Sequence, residues 1–309
     1  MNPDESSGRY PSYLQLAEKG VLKKRAEELV RQYESCSLCP RDCRVDRTHG
    51  EIGKCNAGER VKISSAFPHF GEEAPLVGRK GSGTIFFSNC GLRCIYCQNY
   101  QISIQGEGIE VPDERLAQTM LKLQDIGCHN INLVTPTHYL PNIVSALHLA
   151  VQQGLHIPLV YNTGGYEKVE VLKLLDGIID IYLPDFKYWH PAYAARYSDE
   201  AYNYPYYARL ALLEMERQVG ILKTGRSGVA IKGLMIRHLI LPNKMAGSQY
   251  ILKFISDRFP KQTYVNIMRQ YRPEHRAREF EKISRRITRK EYREVLSWAK
   301  KYGIERLAK

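Results

Sequence analysis

Short apolar runs alternate with longer amphipathic ones from residue 84 to residue 268. The apolar runs 84–87, 130–134, 158–161, 178–183, 234–241 and 264–268 predict six strands. Between them the helical period predicts amphipathic helices, among them 113–124 behind Pro112, 140–153 and 201–218. This alternation builds an α/β fold, a parallel sheet whose crossovers are helices; six units make a partial (βα)6 TIM-like barrel. The first 80 residues read differently, as a helical stretch near 13–33 followed by a Cys-, Gly- and Arg-bearing connection. The expected organisation is therefore an N-terminal helical and Cys-rich extension over 1–80, a barrel core over 81–270 and a basic C-terminal helical segment over 271–309.

Composition narrows the class. A chain of 309 residues that is 43% hydrophobic can bury a sizeable core. No apolar run approaches membrane-spanning length, and residues 1–7 lack the basic start and apolar stretch of a leader, so a cytoplasmic protein without membrane partners is expected. Seven of the eight cysteines fall in two tight groups, which favours metal chemistry in a reducing compartment over a disulfide framework. Net charge is +12, and residues 269–309 hold 14 Lys or Arg against 6 Asp or Glu, a surplus of +8. That tail reads as a solvated helical face or as a docking surface for an acidic partner, either an electron donor such as flavodoxin or ferredoxin, or a nucleic acid. Its aromatic residues Tyr271, Phe280, Tyr292, Trp298 and Tyr302 are spaced like the buried side of a helix, which speaks against a base-stacking platform.

The candidate chemistry is concentrated just after the first predicted strand. Cys90, Cys94 and Cys97 lie within eight residues, in a loop that lets their thiolates converge. Three thiolates close three irons of a [4Fe-4S] cubane and leave the fourth open, whereas a zinc site wants four N or S donors, and the next cysteine, Cys128, lies far along the chain. The spacing matches C-x3-C-x-aromatic-C, with Tyr96 as the aromatic residue, and here the chain resembles the radical S-adenosylmethionine (SAM) superfamily. Gln98 and Asn99 are similar to the continuation seen in activating enzymes of pyruvate formate-lyase type. Segments 160–189, 236–242 and 266–271 resemble the less characterised, PflX-like branch of those activases, so the likeness covers most of 36–300.

The resemblance implies a barrel of radical SAM type, with a [4Fe-4S] cluster and SAM as cofactors. Reductive cleavage of SAM would yield a 5'-deoxyadenosyl radical that abstracts a hydrogen. Cys90, Cys94 and Cys97 would be the catalytic and metal residues, and Tyr96, Thr135, Asn162, Asp185, Lys187 and Arg237 the cofactor-binding ones. After the second strand the family usually carries a Gly-Gly-Glu type turn for the methionine ammonium, but this chain reads Thr135-Pro-Thr-His138 and has no acid there. Asn162-Thr-Gly-Gly165 is similar to an Asp-Thr-Asn-Gly turn of the activases, with an amide in place of a charge. Asp185-Phe-Lys187 resembles the activase Asp-x-Lys, whose lysine suits the SAM carboxylate. Arg237 is the candidate for a SAM or substrate carboxylate, while His238 reads as a core histidine. Asn266 and Gln270 could line the adenosine or substrate side.

Cys36, Cys39, Cys43 and Cys55 form a second group whose four thiols suit either a structural zinc or a second, fully ligated iron-sulfur cluster. Cys128 reads as a small buried apolar residue. The expected function is that of a radical SAM oxidoreductase resembling a glycyl-radical-enzyme activase, with a glycyl-radical protein as substrate. The alternatives are a radical SAM enzyme that modifies RNA, another protein or a small molecule, and a non-enzymatic iron-sulfur electron carrier.

Overall fold

The computed structural model describes residues 10–308, so the opening residues 1–7 read above lie outside the described residues. Among the described residues there are nine strands: β1 (Val61–His69), β2 (Ser82–Phe87), β3 (Ile109–Val111), β4 (Ile131–Val134), β5 (Leu159–Thr163), β6 (Ile181–Pro184), β7 (Lys223–Thr224), β8 (Ala230–Leu239) and β9 (Tyr264–Met268). Strands β2, β4, β5, β6, β8 and β9 pair in that order and all run parallel. This is the predicted partial barrel. Every residue of β5 and β6 is buried, as expected where helices cover one face of a parallel strand and the barrel interior the other.

Where the elements differ from expectation, local chemistry gives the reason. The helical stretch 13–33 is two helices, Ser12–Glu18 and Val21–Arg31, broken where Gly20 takes a left-handed φ of 67°. The third predicted helix is Tyr204–Val219 and carries Pro205 in its first turn, where a missing N–H costs nothing. A separate short helix, Pro191–Tyr197, precedes it. Strand β1 had no counterpart in the sequence reading because Ser64, Ser65 and Pro68 dilute its apolar pattern. It pairs antiparallel with β2, and β3 covers only Val61 to Ile63, so Pro68 sits on an open edge where a proline is tolerated. Residues 61–69 thus belong to the same sheet as the barrel strands.

The basic C-terminal segment is anchored to the barrel. Helix Arg289–Lys301 starts at a capping box, with the Glu291 N–H donating to Thr288 and the Thr288 N–H to the Glu291 carboxylate. Val295 and Ala299 are buried, Tyr271 is fully enclosed, and Phe280, Tyr292, Trp298 and Tyr302 pack against the core. Its aromatic residues therefore serve packing. No described helix is long and apolar enough to cross a membrane.

Candidate active site at the strand ends

The loop after β2 turns twice through left-handed residues, Asn89 (φ 72°) and Arg93 (φ 47°), immediately before Cys90 and Cys94. Each of the three thiols has a polar neighbour. The Leu92 N–H approaches Cys90 Sγ at 3.4 Å, Ser198 Oγ lies 3.0 Å from Cys94 Sγ, and the Ser103 hydroxyl donates to Cys97 Sγ at 3.1 Å. Burial pushes the Cys94 thiol up to about 12, and the positive charge of Lys187 works against that rise. Cys97 is raised for the same reason and feels the same lysine. As bare groups Cys94 and Cys97 hold their protons at neutral pH; a metal centre is what would bring out their thiolates.

Strand β6 supplies that lysine. Lys187 Nζ donates to Asp185 Oδ2 at 2.6 Å, and Arg237 Nε from β8 donates to Asp185 Oδ1 at 2.8 Å. All three side chains are about 15% exposed. Burial alone would raise the Asp185 carboxyl, but Arg237 and Lys187 together hold it below the usual carboxylate range. Arg237 also donates to Asn162 Oδ1, and to Glu72 Oε2 at 3.3 Å, while Asn162 Nδ2 donates to Glu72 Oε1 at 3.2 Å. Asn162, Asp185, Lys187 and Arg237 therefore form one network, reached through Lys187 from the cysteine loop. Each nitrogen of Arg237 is engaged within it.

A second group meets one strand further along. The ends of β2, β4 and β5 surround a recess lined by Cys90, Thr135, Thr137, His138, Thr163 and Gly164, together with Cys39 and Tyr166. Thr135, at φ 60°, donates its N–H to the Asn162 carbonyl at 2.9 Å. Gly165 sits at φ 76°, and a side chain there would strike the Asp185 carbonyl oxygen, so only glycine fits where β5 turns beside β6. The Tyr204 hydroxyl fastens the same junction: it accepts the Lys187 N–H and faces the Gly164 and Asp185 carbonyls, each contact at 2.9 Å.

Tyr96 is placed apart from this cavity lining. It is buried edge-on to Tyr188 and Tyr271, with ring centroids 6.2 and 5.7 Å away, and braces the cysteine loop from behind. His238 is fully buried and satisfied, with Nδ1 2.7 Å from the Phe186 carbonyl and Nε2 2.8 Å from Ser248 Oγ. Asn266 donates to Glu73 Oε1 at 2.8 Å, and the Gln270 carbonyl accepts from Gln98 at 3.2 Å. Cys128 lies at the opposite end of the barrel, near Gly83 at the start of β2.

Three residues of the site were not anticipated. Glu72 follows β1, a strand without a clear sequence pattern, and nothing marked it. Glu167 is fully buried beneath the cavity; the hydroxyls of Thr137 (2.6 Å) and Thr163 donate to its Oε1 and that of Tyr161 (3.2 Å) to its Oε2. Burial raises its carboxyl to about 7 despite those three bonds. An acid two residues past the Asn162–Gly165 turn was a signal within reach. His138 is buried with Nε2 2.8 Å from the Ser88 carbonyl, so that nitrogen carries the proton and Nδ1 is an acceptor without a protein partner. Burial lowers its pKa to about 3, so the ring is neutral.

The raised carboxyl of Glu167 makes a stability prediction. An acid whose folded pKa lies above its unfolded value binds more protons in the native state between the two. Stability attributable to Glu167 therefore falls as pH rises from about 4.5 to about 7, by roughly 3 kcal/mol. Glu167→Gln keeps an oxygen for the two threonines and removes the titration. Thermal melts of variant and parent at pH 5 and pH 8 should show the variant gaining relative stability at the higher pH. An equal difference at both values would rule this out.

Residues 84–240 match the Radical SAM superfamily, and the chain belongs to that family. A relative from Methanocaldococcus jannaschii, the uncharacterized protein MJ0674, is 31% identical over 301 residues, which cover 94% of this chain and 82% of that one. The crystal structure of methylornithine synthase (PylB) overlaps 95% of this chain and 77% of that one, at 16% identity and a TM-score of 0.45. Family membership implies a [4Fe-4S] cluster and SAM. The residues present fit both: three thiols with polar neighbours and a nearby cation, Cys90 among them lining the recess, and along the same recess threonine oxygens with the unpartnered His138 acceptor. Among the described residues, no three His, Cys, Asp or Glu side chains are close enough to grip a single ion.

Proposed function

We propose that this protein cleaves SAM reductively and uses the resulting 5'-deoxyadenosyl radical to take a hydrogen from a partner protein, as a glycyl-radical activase does. The observation that carries the reading is Lys187: paired with Asp185 at the end of β6, it is also near enough to Cys94 and Cys97 to offset their burial. The same pair is the part of the chain that most resembles the activases. Cys90, Cys94 and Cys97 would hold the cluster, which together with SAM supplies the electron and the hydrogen-abstracting group.

The chain's own residues bind and orient. Lys187 has two donors left after its bond to Asp185 and offers them to the SAM carboxylate. The oxygens of Thr135 and Thr137 and His138 Nδ1 are acceptors for the methionine ammonium, and the Glu167 carboxyl beneath them holds Thr137 in place. Arg237, donating to Asp185, Glu72 and Asn162, positions Asp185 and Asn162. Burial around the cysteine loop keeps water from the reacting atoms. An acidic electron donor of the flavodoxin or ferredoxin kind would meet the basic surface.

Two experiments test this. Anaerobic protein reduced in the presence of SAM should release 5'-deoxyadenosine, and with a glycyl-radical protein as partner an organic radical signal should grow in step. Release of 5'-deoxyadenosine without that signal, across such partners, would reject the activase reading and leave another substrate. Lys187→Ala should weaken SAM binding about 10- to 100-fold, the worth of a hydrogen bond to a charged group. Unchanged affinity by equilibrium dialysis would remove Lys187 from the carboxylate contact.

A further inference from the structure

The second cysteine group is built as carefully as the first. Cys36, Cys39, Cys43 and Cys55 are all free thiols, and together with Arg47 and His138 they line one recess. The backbone folds back to bring them there: the Cys36 N–H donates to the Val45 carbonyl at 2.9 Å and the Arg44 N–H to the Cys36 carbonyl at 3.0 Å. Left-handed residues Asp42, Arg44 and Asn56 flank Cys43 and Cys55. A Cβ on Gly53 would lie 3.0 Å from Cys43 Sγ, so a larger residue there would crowd the thiol.

The sulfurs lie among donors and beside a buried cation. Cys43 accepts the Lys54 N–H at 3.4 Å, and the Arg47 guanidinium is close enough to Cys36 and Cys55 for their charges to interact. Such donors favour sulfur that carries negative charge. Arg47 is 1% exposed and otherwise spends its donors on the carbonyls of Gly58 and His138, with Tyr33 stacked against it at 3.9 Å. A buried guanidinium beside four neutral thiols would be poorly compensated. Beside four metal-bound thiolates it has its counter-charge.

The recess also touches the active-site cavity. Cys39 and His138 line both, and Cys39 Sγ would lie 3.7 Å from a Cβ on Gly91, the residue next to Cys90. A purely structural zinc gains nothing from that adjacency. A redox centre does.

We propose that Cys36, Cys39, Cys43 and Cys55 ligate a second [4Fe-4S] cluster, and that it feeds electrons to the Cys90 loop across the Cys39–Gly91 contact. The centre takes one electron from a low-potential one-electron donor protein, which is oxidised by one, and returns to its starting state on passing that electron on. The relay rests on the radical SAM reading; the ligation does not.

The test uses the full chain carrying Cys90→Ala, Cys94→Ala and Cys97→Ala together, reconstituted anaerobically with ferrous iron and sulfide. About four iron and four sulfide should remain per chain, against about eight of each in the parent, and the dithionite-reduced resonance signal should be indifferent to SAM. Zinc without sulfide, or no metal at all in a variant whose far-ultraviolet dichroism matches the parent, would overturn the ligation. For the relay, Cys55→Ser should slow reduction of the Cys90-loop cluster by flavodoxin at least about tenfold while dithionite still reduces it; an unchanged flavodoxin rate would overturn that half. A parent protein whose reduced signal does not respond to SAM would instead defeat the radical SAM reading, and the metal content of the triple variant would stand.

Discussion

Cys94→Ala is expected to abolish SAM-dependent formation of 5'-deoxyadenosine, leaving none above the protein-free background. The reason is one of arithmetic and position. Two thiolates cannot close three irons, and Cys94 is the most enclosed of the trio, 8% exposed and 3.0 Å from Ser198 Oγ, so no water-borne thiol can stand in for it. Its truncation removes one small sulfur from a packed site, a loss of about 1 kcal/mol that leaves the fold intact. Activity and stability should therefore separate: melting close to the parent, with no product. Cys128→Ala is the matched control, since it removes another buried thiol at the far end of the barrel and should leave product formation as it was. Product from Cys94→Ala at a tenth of the parental rate or more would displace Cys94 from the cluster.

Local pattern carried most of the fold. The six parallel strands and the cysteine loop were legible because period, strand length and ligand spacing are properties of adjacent residues. Alternation also put Arg237 on one side of β8 and His238 on the other, and the structure engages the first in a polar network and the second in the core. What the sequence hid was contact between distant residues. Glu72 meets Arg237 across 165 positions, and no pattern near either announces it. The acid absent after β4 is a subtler case. Parallel strands lie about 4.8 Å apart, so a carboxyl rooted in the turn of the next strand can serve its neighbour's turn. Glu167, rooted after β5, does so by bonding Thr137 after β4. A reading confined to the turn after β4 misses a buried partner rooted in the turn beside it.

The same distant contacts make Asp185 the residue whose loss should cost the most stability. Its two oxygens hold Lys187 at 2.6 Å and Arg237 at 2.8 Å, so Asp185→Ala leaves two nearly buried cations facing each other without their shared anion. Breaking a buried pair by removing one partner costs about 3–5 kcal/mol, and here one carboxylate serves two partners. A drop in melting temperature of about 5–8 °C at pH 7 is expected. The pH dependence fixes the cause. Because the folded carboxyl lies below its ordinary 3.8, its contribution is complete above that value and is lost only as pH falls through the lower, folded pKa. The gap between parent and variant should thus be constant from neutrality down to about pH 5 and close only in stronger acid. Lys187→Ala placed on top of Asp185→Ala should recover part of the loss, since it takes away one of the two stranded charges, and that non-additivity separates electrostatics from simple cavity formation. A single variant melting within about 2 °C of the parent, or a double variant whose losses merely add, would show that the pair is screened and that Arg237 draws its support from Glu72 and Asn162 instead.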